Sequence, residues 1–88
     1  MKVKVRFYGA FARAAGKEHE VKLEEGITVS EAIKNIFKRF NLGKIDFRDE
    51  RSIMGYVRIF VNGEYARASK VLHDGDEITV YPPISGGY

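Results

Sequence analysis

TVSEAIKNIFKRF, residues 28–40, carries two helix signals at once. Thr28 and Glu31 form the T-x-x-E capping box, in which each side chain satisfies an orphan amide at the helix start. Val29, Ala32, Ile33, Ile36, Phe37 and Phe40 then recur at helical spacing. They make one apolar stripe, wide enough to cover a sheet, and are read as core rather than as a ligand groove. Lys34, Lys38 and Arg39 lie off the stripe, and the last two sit where cations favour the helix dipole. Asn41 and Gly43 are placed to end the helix.

A helix with one apolar side needs a sheet to cover, and the flanking segments supply it. Lys2 to Tyr8 alternates with period two, Val3, Val5 and Phe7 inward and Lys2, Lys4, Arg6 and Tyr8 outward. GAFARAAG (9–16), rich in alanine between two glycines, predicts a short helical turn. His19 to Glu24 alternates again, with Val21 and Leu23 inward, and Glu25-Gly26 reads as a turn. The first two strands are therefore antiparallel neighbours.

After the helix, residues 41–55 are the least readable, although Leu42, Ile45, Phe47, Ile53 and Met54 suggest partial packing on the body. Tyr56 to Asn62 alternates, with Val57, Ile59 and Val61 inward and Tyr56, Arg58 and Phe60 outward. Asn62-Gly63 is the preferred type I′ hairpin turn. A short strand around Tyr65, a turn at Asp74-Gly75 and a last strand from Glu77 to Tyr81 follow, with Ile78 and Val80 inward and Glu77, Thr79 and Tyr81 outward. One helix among five strands predicts an α+β roll, a mixed sheet of four to five strands on one main helix. The β-grasp, ubiquitin-like arrangement is the compact solution; its first and last strands run parallel, side by side, at the sheet's centre.

The bulk numbers agree with one domain over residues 1–88, with 82–88 as a flexible tail. An apolar share of 44% is globular rather than disordered. No apolar run approaches a membrane span, and the start lacks the apolar region of a signal peptide, so a cytoplasmic protein without a membrane partner is expected. The chain has no cysteine, which excludes disulfides, thiolate metal ligands and a thiol nucleophile. A net charge of +3 suits an acidic partner but falls short of a nucleic-acid footprint.

A catalytic set is hard to find. His19 and His73 lack obvious partners, no metal site is expected, and Ser30, Ser52, Ser69 and Ser85 sit in no nucleophile motif. No glycine-rich phosphate loop is present. The outward sheet face is more informative. It would set Arg6 and Tyr8 beside Thr79 and Tyr81, with Arg58 and Phe60 from a neighbouring strand. Tyrosine and arginine are enriched at interface hot spots, which favours a partner surface over an ordinary amphipathic face.

PPISGGY (82–88) adds a second feature. Pro82-Pro83 favours extended geometry and lowers the ordering cost of docking. Gly86-Gly87 has no Cβ and fits a narrow channel in another protein. Such a tail delivers a C-terminal carboxylate, which needs activation, for example as an acyl-adenylate made by a separate enzyme. The plain alternative is a frayed end.

DGDEITVYPPISGG, with VRFYGAFARAAGKE and VNGEY, resembles the ubiquitin-like sulfur-carrier family (MoaD/ThiS), most of all the molybdopterin synthase small subunits. The resemblance implies a non-catalytic carrier with no bound cofactor. Its terminal glycine, here Gly87 next to Gly86, is adenylated by an E1-like enzyme using ATP and then converted to a thiocarboxylate by a sulfur donor. The synthase large subunit would take the tail, with Pro82, Pro83, Ile84 and Ser85 as its stem and Phe60 and Tyr81 on the docking face. Sulfur would pass to a pterin precursor of the molybdenum or tungsten cofactor. Relatives in archaea are also joined to protein lysines through the same glycine. Tyr88 departs from the family pattern, because it leaves the Gly87 carboxyl as an amide. Either a protease (a metalloprotease in some relatives) removes it or the chain carries no sulfur; the intact remainder of the tail favours processing.

Overall fold

The computed structural model describes residues 1–43 and 57–82. Ile45, Phe47, Ile53, Met54 and Tyr56, and the tail residues Pro83 to Tyr88, lie outside the described residues. The elements are β1 (Lys2–Phe7), α1 (Gly9–Ala15), β2 (Glu18–Lys22), α2 (Val29–Arg39), β3 (Arg58–Val61), β4 (Glu64–Tyr65) and β5 (Glu77–Tyr81). They form a five-stranded sheet in the order β2-β1-β5-β3-β4. β1 pairs antiparallel with β2 and parallel with β5, so the first and last strands are central neighbours. This is the β-grasp, ubiquitin-like roll that the element order predicts.

Helix α2 forms for the reasons its sequence contains. The Thr28 hydroxyl accepts from the Glu31 amide and the Glu31 carboxylate from the Thr28 amide, closing the capping box. At the other end the Leu42 amide reaches Phe37 O at 2.8 Å and the Asn41 amide reaches Lys38 O at 3.3 Å. That pair of bonds is the Schellman motif, with Asn41 in the left-handed position at φ 56°. Between the caps, Val29, Ala32, Ile33, Ile36 and Phe37 are buried against Val3, Val5, Phe7, Ile59, Ile78 and Val80. Burial of that apolar stripe, more than helix propensity, holds the helix in place.

Three readings change. Strand β2 covers Glu18–Lys22 rather than starting at His19 and reaching Glu24, because the pairing with β1 ends at Lys2↔Lys22; Leu23 is nonetheless buried just beyond it. His19 does have partners. Its Nε2 hydrogen-bonds Ala15 O at the end of α1, and its ring packs on Phe7 and Phe40. Thr79 faces outward but is buried, since its register partners on either side are the long side chains of Arg6 and Phe60.

The hairpin turn at Asn62-Gly63 is a two-residue loop, with φ 52° and 84° at its two residues. It is tied to the turn before β5. Asn62 Nδ2 donates to Asp76 Oδ1 and Asn62 Oδ1 accepts from the Glu77 amide, each at 2.9 Å. Asp76 Oδ2 also accepts from the His73 amide at 2.8 Å. Burial pushes the Asp76 carboxyl up, but the His73 amide, the Asn62 side chain and the charges of His73 and Lys70 together outweigh it and hold it below the ordinary value. A depressed folded-state value means stability present above the unfolded carboxylate range and lost as pH falls through the folded value. Asp76→Asn is therefore expected to cost about 1 kcal/mol at neutral pH. The difference from wild type should shrink as pH falls below the ordinary carboxylate range and through the lowered folded-state value. Urea unfolding of both proteins from pH 7 to pH 3 checks this; a constant difference would remove Asp76 as its source.

Candidate functional site: the open sheet face and the stem of the tail

The face of the sheet opposite α2 has two zones. Along β1, from Lys2 to Arg6, it carries paired charges. Lys2 Nζ lies 3.8 Å from Glu20, and Arg6 bridges Glu18 at 3.6 Å and Glu77 at 3.7 Å across three strands. The Tyr8 hydroxyl, then Glu77 and then Glu18, push the already high Arg6 pKa further up, so Arg6 is a permanent cation. The Lys2–Glu20 pair is largely exposed and the Arg6 pairs are partly exposed, and such pairs add little to stability. They leave this zone close to electrically neutral.

Toward the end of β5 the face is aromatic. Tyr8 and Tyr81 stack with ring centroids 4.6 Å apart and planes at 15°. Tyr81 meets Phe60 edge-on at 5.6 Å, and Phe60 meets Tyr65 edge-on at 6.0 Å. The rings thus run as a ladder from Tyr8, just past β1, across β5, β3 and β4. Tyr8, Tyr65 and Tyr81 are exposed and Phe60 is half-buried. Thr79 lies beneath, between Arg6 and Phe60. Arg58 stands opposite Tyr81 in the β3–β5 register, and its Nε is buried without a hydrogen-bond partner.

The structure therefore brings Tyr8, Phe60 and Tyr81 together with Arg58 beside them, and places Arg6 where the paired charges meet the ladder, between Glu18 and Glu77 and within reach of Tyr8. Tyr65 is the member of the ladder that sequence reasoning did not single out as a site residue. Its signal was available: a two-residue turn at 62–63 forces Val61 opposite Glu64 and hence Phe60 opposite Tyr65.

The ladder leads to the stem of the tail. The Tyr8 amide donates to Val80 O at 3.2 Å, and Tyr81 is followed directly by Pro82. Pro82 packs against Gly9, where a Cβ would stand 2.9 Å from Pro82 Cγ. Gly9 also has φ +59°, so both its backbone and the approach of the proline call for a residue without a side chain. The chain thus leaves the sheet from its centre, beside the exposed rings. Pro83, Ile84, Ser85, Gly86, Gly87 and Tyr88, singled out from the sequence, lie outside the described residues. Among the described residues, no group of three or more His, Asp or Glu side chains is arranged to hold a metal ion, and no helix is long and apolar enough to cross a membrane.

A model of the ThiS family matches residues 5–87, from within β1 to the second glycine of the tail. The chain belongs to the ThiS family. Among solved structures it is similar to a putative molybdopterin converting factor subunit 1 from Pyrococcus furiosus, at 35% identity and a TM-score of 0.73 over 96% of this chain and 99% of that one. It is also similar to small archaeal modifier protein 1 from Methanosarcina acetivorans, at 28% identity and a TM-score of 0.72 over 98% and 96%. A third likeness, of fold alone, is to a chain in the complex of subunits 1 and 2 of the molybdopterin-converting factor from Helicobacter pylori. It has 23% identity and a TM-score of 0.58 over 99% and 100%. No curated protein sequence matches significantly. The ThiS-family match spans the ladder residues, Gly9 and Pro82.

Proposed function

We propose that the protein is a sulfur carrier, activated at Gly87, that donates sulfur in molybdopterin biosynthesis. The observation that carries this reading is the 35% identity to the Pyrococcus furiosus converting factor subunit 1 along nearly the full length of both chains. In the proposed sequence the Gly87–Tyr88 bond is first hydrolysed by a protease, freeing the glycine carboxylate. That carboxylate attacks the α-phosphate of ATP in an E1-like adenylating enzyme and releases pyrophosphate. A sulfur donor then displaces AMP, leaving a thiocarboxylate. The carrier holds no cofactor of its own; ATP belongs to the activating enzyme. Its aromatic ladder docks on a synthase large subunit while the tail, stiffened by Pro82 and Pro83, enters that subunit's active site. Gly86 and Gly87 supply a thread without side chains, and Ile84 and Ser85 join it to the stem. The pairing of subunits 1 and 2 in the Helicobacter pylori complex supports a partner of this kind.

Intact mass of the protein from its own host tests the reading. The expected species ends at Gly87, and a fraction of it has one oxygen replaced by sulfur. A population that keeps Tyr88 at every stage of growth sinks the proposal.

A second reading has its own support in the 28% identity to the Methanosarcina acetivorans modifier. Here a lysine amine of another protein attacks the same Gly87 acyl-adenylate, forming an amide and releasing AMP. Lysines bearing a remnant traceable to this chain would establish it, and a conjugate pattern unchanged by deletion of Gly87 would rule it out.

Docking through the ladder makes a separate prediction. Phe60→Ala and Tyr81→Ala are each expected to weaken binding to the synthase large subunit by about 2 kcal/mol or more, as truncated aromatic hot spots do. Isothermal titration measures it; unchanged affinity in both variants removes the face from the mechanism.

A further inference from the structure

The two arginines of the open face are not equivalent. Arg6 has its charge answered within the chain by Glu18 and Glu77. Arg58 makes no ion pair among the described residues, and its Nε–H is buried with nothing to donate to. A buried donor without an acceptor is a standing cost that the free protein bears, and a docked acceptor would remove it. Arg58 also stands where such a group would matter most. It is opposite Tyr81 in register, one residue from the start of the stem at Pro82, and it flanks the aromatic ladder.

We propose that Arg58 receives a carboxylate from the docked protein, its Nε–H and one terminal N–H donating side-on to the two oxygens. The inference rests on the docking reading of the face given above. A turn of the outer side-chain torsions brings Nε out of its cover, and the rings of Tyr81 and Phe60 shield the resulting pair from water. Charge complementarity sets the occupant's chemistry. On the aromatic half of the face Arg58 is a cation without an ion pair among the described residues, whereas Arg6 already meets Glu18 and Glu77. The fitting surface is a protein patch with an apolar pocket for the ladder and one Asp or Glu at its edge, next to the channel that takes the tail. The pair would then set the register of docking and aim Pro82 at that channel. Only arginine offers the planar two-donor edge this requires; lysine is a point charge.

The test uses the chain ending at Gly87 with the synthase large subunit from the same organism, by isothermal titration at two salt concentrations. Arg58→Gln and Arg58→Lys are each expected to weaken binding about 30-fold or more, mainly through faster dissociation. Arg58 lies outside the core cluster, so the variants are expected to fold. The Arg58 Nε–H resonance of the wild type should shift and gain protection from exchange in the complex, a signature that a merely structural arginine would not show. Arg58→Lys binding as tightly as wild type, or an Nε–H resonance that does not move, overturns the assignment. Phe60→Ala separates the two levels. If it loses affinity while the Arg58 variants keep theirs, only the Arg58 assignment falls; if it too binds as wild type, the docking reading of the face falls with it.

Discussion

Gly86→Arg is expected to abolish adenylation of Gly87 while leaving the melting temperature of the domain essentially unchanged. Two physical facts combine here. The described core cluster runs from Val3 to Val80 and already joins α2 to the sheet. Adenylation, in contrast, requires the Gly87 carboxylate to reach the α-phosphate of ATP inside another protein. A channel shaped for a chain without side chains has no room for a guanidinium. A reacting atom displaced by even about 1 Å can lose on the order of 100-fold in rate, and arginine displaces it further. Gly86→Ala should fall between, because one methyl group demands less. ATP–pyrophosphate exchange with the E1-like enzyme gives the rate, and a thermal melt gives the stability. Normal exchange by Gly86→Arg would deny the tail its proposed role. A large fall in melting temperature would show instead that the tail belongs to the fold.

Phe7→Ala should have the opposite signature, a large loss of stability with the tail chemistry untouched in the fraction that remains folded. Phe7 is 1% exposed. Its ring meets Phe40 edge-on at 5.5 Å and His19 at 5.8 Å, and its amide donates to Lys17 O at 2.8 Å. It therefore joins β1 to the end of α2 and to the segment between α1 and β2. Truncating a buried phenylalanine typically costs about 3–5 kcal/mol. A small domain commonly has only about 5–15 kcal/mol to lose. The melting temperature should drop by roughly 12–40 °C, at about 4–8 °C for each kcal/mol. Phe7→Leu, which keeps most of the volume, should lose far less. Urea unfolding of the three proteins decides it; a loss under about 1 kcal/mol for the alanine would mean that the site collapses around the cavity.

Much of the fold was legible because its signals are local. The capping box, the stripe from Val29 to Phe37 and the strand alternations each depend on residues within one or two turns or a few strand positions of one another. The Asn62-Gly63 turn even carried the β3–β4 register, and with it Tyr65. The site was legible in part. Arg6, Tyr8, Arg58, Phe60 and Tyr81 do share one face, as alternation requires. What alternation cannot supply is environment. Thr79 has the same outward parity as Tyr81, yet it is buried, because the neighbours that cover it come from β1 and β3, far away along the chain. His19 looked solitary for the same reason. Phe40 is 21 residues away, and only the packing of α2 on the sheet brings it to the imidazole.

The sequence by itself determined which segments become helix and strand, which of their sides turn inward, and that the last strand runs into a proline stem and two glycines. Those outcomes follow from short-range sterics, hydrogen-bond capping and the period of apolar residues, which a linear string records. Tertiary structure alone decided how the outward residues differ from one another. Arg6 is neutralised because register places Glu18 of β2 on one side of it and Glu77 of β5 on the other. Arg58, with the same charge and the same outward parity, is left with a buried Nε and no acceptor. Gly9 and Pro82, 73 positions apart, meet because β1 and β5 run parallel at the sheet's centre. Charge pairing and close approach depend on distances through space between strands remote in sequence, and those distances exist only once the sheet has formed.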